Sequence, residues 1–293
     1  MQVVRGIAPE SEDRGAGKSS GLQIVGVGRS GTSIATRVCG CLGLRLPRSA
    51  DLLPPGLGNK EGFWESESLV AFDDELLAHW GSTWWTPPST VTKSMLQQLG
   101  PLSKRAARDF HRAFGTAEGW VWKDPRLTVL LPFWDNVIGK QPVLVPFRDP
   151  GSVAMSIARR DGTTPRQGLA LWERHTRLLL AHLEGRRVLL ASYESLCTTP
   201  DAWIDELVRF CVGLGLKVGV ASPAVPRLVK HDRGATTDSL AVASATALFE
   251  ILERLQGVHE CFEPVQVPAE SPWLEAEMEE LRYRYRAALA SSQ

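Results

Sequence analysis

The chain has 293 residues, 43% of them hydrophobic, with 33 basic side chains against 33 acidic ones. That length favours one domain with insertions over two, and the apolar fraction is that of a globular protein with a substantial core. A formal charge of zero offers no basic field for nucleic acid, and no run of about 18 apolar residues is present to span a membrane.

Residues 1–20 are polar and rich in Gly and Ser, and read as a flexible tail. They lack the apolar core of a secretory leader. The five cysteines, Cys39, Cys41, Cys197, Cys211 and Cys261, are odd in number and fit no zinc spacing. Buried, reduced thiols in a cytoplasmic protein are therefore expected. Residues 21–293 are read as a single domain.

The first structured unit covers about 22–43. Leu22-Gln23-Ile24-Val25 is a short apolar strand, Gly26 to Gly31 a glycine-rich turn, and Thr32 onward a helix. Such a turn aligns backbone N–H groups at a helix N-terminus, where an anion is stabilised. The spacing Gly26–Gly31 matches the first half of a Walker A loop, but Thr32 stands where that loop carries Lys. Arg29 supplies the positive charge from inside the turn, and Ser30, Thr32 and Ser33 add hydroxyl donors.

Residues 44–63 are rich in Pro and Gly and read as a loop. A helix is predicted from Ser66 to His79, with Leu69, Phe72, Leu76 and Leu77 at helical spacing. Trp84-Trp85-Thr86-Pro87-Pro88 is irregular, and about 101–114 reads as an exposed helix. Trp120-Val121-Trp122 is a strand ending in Lys123-Asp124-Pro125-Arg126, and 127–138 is helical. Pro142 to Phe147 is a strand ending in Arg148-Asp149-Pro150, where Asp149 caps the next helix and Pro150 takes its first position. A long helix is predicted over about 166–184, a strand over Arg187–Ser192, and helices over about 201–211, 238–256 and 272–289.

Strands alternating with helices predict an α/β fold of three layers, with about five strands in a central parallel sheet. Ligands of such sheets bind beyond the carboxyl ends of the strands. The polar motifs 26–33, 123–126, 148–149 and 193–194 all fall there. Each has a plain alternative: a tight turn, a solvated strand end, a local Arg148–Asp149 pair. Their shared location gives them weight. Ser156 lies in the helix opened by Pro150, close enough along the axis for Arg148 and Ser156 to hold one phosphate.

Gly28-Arg29-Ser30-Gly31-Thr32-Ser33, the Lys123-Asp124-Pro125 strand end, Arg148-Asp149-Pro150 with Ser156, and Tyr193-Glu194-Ser195-Leu196 together resemble the P-loop sulfotransferase superfamily, over about residues 22–265. The resemblance is to its bacterial branch, with motifs also similar to tyrosylprotein sulfotransferases. It implies the nucleotide-kinase-like topology and the cofactor 3′-phosphoadenosine-5′-phosphosulfate (PAPS), leaving 3′-phosphoadenosine-5′-phosphate (PAP), with no metal. It implies that residues 28–33 form the 5′-phosphosulfate loop, that Lys123 is the catalytic strand-end lysine, that Arg148 and Ser156 clamp the 3′-phosphate, and that Tyr193 lies near the adenine. No His follows Lys123 to act as base. Glu65 and Glu61, in Asn59-Lys60-Glu61-Gly62-Phe63-Trp64-Glu65, are the candidates, with solvated loop carboxylates as the alternative. Arg233, in the basic group Arg227, Lys230, His231 and Arg233, is a candidate 3′-phosphate contact. Trp64, Trp84 and Trp85 are candidates to stack on an acceptor, although Trp is more often core or rim.

The implied reaction is transfer of a sulfo group from PAPS to a hydroxyl, less readily an amine, of a small molecule, metabolite or glycan. A small-molecule kinase of the same superfamily, a non-catalytic nucleotide-binding protein and a protein-tyrosine sulfotransferase remain as alternatives. Acceptor identity and oligomeric state are not legible.

Overall fold

The computed structural model describes residues 21–56, 62–115, 118–219 and 243–291. Its centre is a five-stranded sheet: β1 (Gly21–Ile24), β2 (Trp120–Lys123), β3 (Val143–Phe147), β4 (Val188–Ser192) and β5 (Gly257–His259), in the order β2-β1-β3-β4-β5. β1 pairs in parallel with both β2 and β3, and β3 in parallel with β4. β5 runs antiparallel to β4, with Leu189 opposite Val258. The α/β class therefore holds, with a mostly parallel sheet whose last strand reverses. Three residues are too short for β5 to announce itself by alternation.

The four parallel strands β1 to β4 bury both faces, as parallel strands covered by helices do. Leu22, Ile24, Val121, Leu144, Leu189 and Ala191 point into one core. That core is closed by α1 (Thr32–Cys41) and α9 (Pro200–Gly213). Trp120, Trp122, Val143, Val145, Val188 and Leu190 point into the other. The second core is larger and packs α2 (Glu67–Ala78), α4 (Ser103–Phe114), α5 (Leu127–Ile138), α6 (Pro150–Asp161), α7 (Pro165–His182), α10 (Ala243–Arg254) and α11 (Leu274–Ser291). Two short helices, α3 (Lys93–Leu99) and α8 (Tyr193–Thr198), lie outside the sequence reading.

Local chemistry accounts for the boundaries. Ser66 accepts from Leu69 N to cap α2, Asp149 accepts from Ser152 N at 2.7 Å to cap α6, and Pro150 and Pro165 each open a helix. Thr164 and Gln167 form a capping box for α7. α4 is not the exposed helix expected: Phe110 and Phe114 lie against Trp120, with ring centroids 5.1 and 5.6 Å away. Its charged outer face hid a buried stripe spaced at three and four residues. Of the cysteines, Cys39 and Cys211 are buried, while Cys41 and Cys261 are exposed thiols.

Two prolines inside regular elements are tolerated for identifiable reasons. Pro146 lacks an N–H at the end of β3. Val143 N bonds Arg187 O, on the residue before β4, so by alternation position 146 faces β1, where the chain has already turned into the glycine loop. Pro132 leaves the Thr128 carbonyl of α5 without its helical donor. His182 of α7 donates its Nδ1–H to that carbonyl at 3.0 Å. Among the described residues no helix is long and apolar enough to cross a membrane.

α6 and α7 approach closely because Gly168 has no side chain. A Cβ there would lie 2.6 Å from Ala154 O and 2.9 Å from Ala154 Cα, both backbone atoms of α6. Gly168→Ala is expected to lower the unfolding free energy by about 1–3 kcal/mol through overpacking, measured by urea denaturation. Its gain in helix propensity, about 1 kcal/mol, works in the opposite direction.

Candidate functional site

β1 and β3 are where the strand order reverses, so their carboxyl ends open a crevice. The glycine turn fills one side of it. Arg29 (φ 75°) and Gly31 (φ 90°) are both left-handed, which turns the chain sharply into α1. Gly31 caps α1 without a side-chain hydrogen bond, leaving its first amides to other partners. A Cβ on Gly31 would lie 2.5 Å from Tyr193 Cδ2, and one on Gly28 would lie 3.0 Å from Trp84 Cζ2. The turn is thus wedged between two rings, a constraint the glycine spacing alone did not reveal.

On the β3 side, Arg148 is 7% exposed, its guanidinium 4.5 Å from the centroid of the Tyr193 ring. Among the described residues it makes no ion pair. Burying an unpaired cation is costly unless an anion arrives to match it. Ser156, in the second turn of α6, accepts from Arg29 Nε at 3.0 Å. The expected Arg148–Ser156 pair is therefore drawn differently: Ser156 meets Arg29, and Arg148 lies on Tyr193. Glu194 bolts the strand ends together, accepting from Asp149 N at 3.2 Å and from Ser192 Oγ at 3.0 Å.

At the end of β2, Lys123 is 2% exposed and its ammonium pairs with the Glu65 carboxylate. Glu65 is delivered by a constrained segment. Trp64 sits at φ 63°, a left-handed conformation unusual for a bulky residue. Leu53 N bonds Glu65 O at 2.9 Å. Asp51 then gathers Ser66, the Ser68 amide (3.0 Å) and the Ser68 hydroxyl (3.1 Å), pinning the start of α2. Burial pushes the Glu65 carboxyl above its usual range, and the nearby Asp124 adds to this, with Lys123 opposing.

Asp124 is fully buried. Its Oδ1 accepts from Arg126 N (2.8 Å) and Arg126 Nη1 (3.1 Å), which closes a turn at the start of α5, while Oδ2 has no hydrogen-bond partner among the described residues. Arg126 also holds Asp74 through two bonds of 2.6 and 2.9 Å. Behind them Asp73 accepts from Trp134 Nε1 at 2.8 Å, and burial pushes its carboxyl well above the ordinary range.

A cavity of about 430 Å³ opens beside this pair, with Gly28, Glu65, Trp84, Trp85 and Arg126 among its walls. Trp84 is held by His175, whose Nε2 donates to the Trp84 carbonyl at 2.8 Å and whose ring stacks on the indole at 5.3 Å. His175 Nδ1 meets the Thr128 hydroxyl at 2.7 Å.

The sequence-derived residues Gly28 to Ser33, Glu65, Lys123, Arg148, Ser156 and Tyr193 thus come to one end of the sheet. Glu61 and Arg233, with Arg227, Lys230 and His231, lie outside the described residues. Trp64 does not line the cavity, whereas Trp84 and Trp85 do. His175 was missed because a histidine within an apolar helix carries no signal of what it touches. Chemically, the arrangement can hold one anion at the loop, Arg29 and Lys123, and a second near Arg148, with a carboxylate facing an adjoining cavity.

No family model matches the sequence, and no curated protein matches it. Among solved structures, the sulfotransferase domain of the Synechococcus PCC 7002 olefin synthase matches with a TM-score of 0.42 at 17% identity, over 90% of this chain and 94% of that one. The sulfotransferase domain from the curacin biosynthetic pathway matches with a TM-score of 0.40 at 17% identity, over 90% of this chain and 96% of that one.

Burial brings His175 down to about 4, from an ordinary value of 6.5. The unfolded chain therefore binds the extra proton between those values, and the stability contributed by neutral His175 is full above about pH 6.5 and lost as pH falls towards 4. The stability gap between the native chain and His175→Asn, from urea unfolding, should shrink from pH 7 to pH 5 by up to about 1.4 kcal/mol per pH unit below 6.5. A gap that stays constant would place the titrating group elsewhere.

Proposed function

We propose that this chain is a sulfotransferase that uses PAPS to sulfate a hydroxyl, or less readily an amine, of a small molecule, metabolite or glycan, and that residues 21–293 act as one catalytic unit. The observation that carries this reading is Arg148: a nearly buried guanidinium with no ion-pair partner among the described residues, beside a glycine loop whose own cation is Arg29. A nucleotide with anionic groups at both its 5′ and 3′ positions fits that donor set better than one with a single phosphate chain. The cradle fits too, since any side chain on Gly28 or Gly31 would strike the flanking rings.

When bound, the cofactor supplies an activated sulfo group whose departure leaves a phosphate. The remaining work falls to this chain's residues. The amides of 28–33, with Arg29 and Lys123, stabilise negative charge at the loop. Arg148 and Ser156 hold the 3′-phosphate, and Tyr193 supports Arg148 from below. Glu65 takes the proton from the acceptor oxygen, or Glu61 does in its place. Its burial makes Glu65 a stronger base than a solvated carboxylate. The Lys123 ammonium neutralises Glu65 at rest, and turning to an arriving anion leaves the carboxylate able to accept a proton.

Thermal-shift titrations with PAP, ATP, ADP and 5′-AMP test the cofactor. PAP should stabilise most, by about 2.7 kcal/mol at a hundred times its Kd, and Arg148→Ala should abolish the preference over 5′-AMP. Stabilisation by ATP without any by PAP would return the kinase alternative. For the base, Glu65→Gln should lower kcat by about 10²–10⁴ with PAP binding retained. Full activity in that variant would transfer the role to Glu61.

A further inference from the structure

The cavity beside Glu65 does not end at Trp85. A second cavity of about 210 Å³ lies beyond it, and Trp85 and Tyr285 are walls of both. The outer chamber is completed by Asp161, Thr163, Leu281 and Arg284. Two of its walls come from the end of α6 and the turn after it, and three from α11, a helix outside the stretch that carries the sulfotransferase motifs.

α11 is fastened where it is. Leu274, Met278 and Leu281 are buried in the larger core. Arg284 donates to Gln167 Oε1 at 2.9 Å and to Gly162 O at 3.2 Å. Arg166 pairs with Glu277 at 3.0 Å and lies 4.9 Å from the Trp273 ring centroid. Tyr285 therefore stands on a helix fixed to α7, opposite Trp85. Arg160 steadies the other side: its guanidinium is 5.8 Å from the Trp84 ring and 6.0 Å from Trp85, while its Nε bonds both oxygens of Asp161 at 2.7 Å.

We infer that the two chambers form one acceptor cleft, in which Trp85 and Tyr285 set specificity for an acceptor two rings long. The inner ring presents its hydroxyl to Glu65, and the outer ring occupies the chamber built by α11. This rests on the sulfotransferase reading for the inner end only. The chemistry of the outer chamber points to a ring with an apolar face and hydroxyls on its edge, as in a glycoside. Aromatic walls take the face. The Asp161 carboxylate and the Arg284 guanidinium, both on the walls of the chamber, are at hand for the edge.

The test is calorimetric titration of the full chain, with and without PAP, using three probes: 4-hydroxyphenyl β-D-glucopyranoside, with two rings and a free phenol, and hydroquinone and methyl β-D-glucopyranoside, with one ring each. The two-ring probe should bind about tenfold or more tightly than either single ring, the range expected from ring stacking and one added hydrogen bond. Tyr285→Ala removes one wall, and Thr163→Trp fills the outer chamber. Each should bring the two-ring probe to within about twofold of the single rings, with the PAP thermal shift unchanged as the check on folding. Equal binding of all three probes, no binding of the glucoside, or a preference that survives both substitutions overturns the inference. If PAP fails to bind while the two-ring preference and its loss in the variants persist, the sulfotransferase reading falls and the cleft stands.

Discussion

The site is organised by one ion pair. Lys123 ends β2 in a place that solvent hardly reaches, and a buried ammonium requires a carboxylate. Glu65 meets that need from a segment more than fifty residues earlier, so the residues leading into α2 have to fold down onto the sheet. The left-handed Trp64 and the Asp51 contacts with Ser66 and Ser68 are the means of bringing it there. Taking away either partner would strand the other charge, at about 3–5 kcal/mol. The same pair shapes the electrostatics: an anion arriving at the loop would compete with Glu65 for the Lys123 ammonium, so the loop and the cavity carboxylate are linked.

The surrounding carboxylates reinforce that linkage. Asp124 and Asp73 are fully buried, each with an oxygen that has no hydrogen-bond partner among the described residues, and Arg126 bridges Asp124 to Asp74. Burial, with the nearby Asp124 charge adding to it, makes Glu65 and Asp73 hold protons more tightly than solvated acids do. Cations and carboxylates are thereby sorted: Arg29 and Arg148 lie towards the crevice between β1 and β3, and the acids lie behind and beside β2. A cofactor rich in negative charge suits the first region, and a neutral hydroxyl bearing a labile proton suits the second.

Much of the fold was legible because its strands and helices carry unambiguous periods and punctuation. Trp120–Lys123 and Leu127–Ile138 lie where the pattern placed them, and Asp149-Pro150 opens α6 as its cap chemistry requires. The convergence of Lys123, Arg148 and the glycine loop followed from their shared position at strand ends. What escaped was of two kinds. β5, α3 and α8 are too short to show a period. The partners of Ser156, Trp84 and Tyr285 depend on tertiary contacts across 127, 91 and about 200 residues, and spacing along a chain says nothing at that range. Arg148 illustrates the boundary: its place at a strand end was readable, whereas its lack of an ion-pair partner among the described residues could be known only once its neighbours were in position.

Proline at position 132 has a reach beyond α5. By removing a helical N–H it frees the Thr128 carbonyl for His182, while the Thr128 hydroxyl meets His175. His175 in turn holds the carbonyl and the ring of Trp84, whose edge abuts Gly28 in the glycine loop. One unbroken set of contacts therefore runs from the α5–α7 interface to the glycine turn. Both histidines are held neutral by burial, down to about 4, so at neutral pH these contacts are hydrogen bonds and packing rather than charge. A cavity wall built this way keeps its shape when the charged groups around it change partners. That is what Trp84 must do if Lys123 and Glu65 exchange their bond for new ones on its open side.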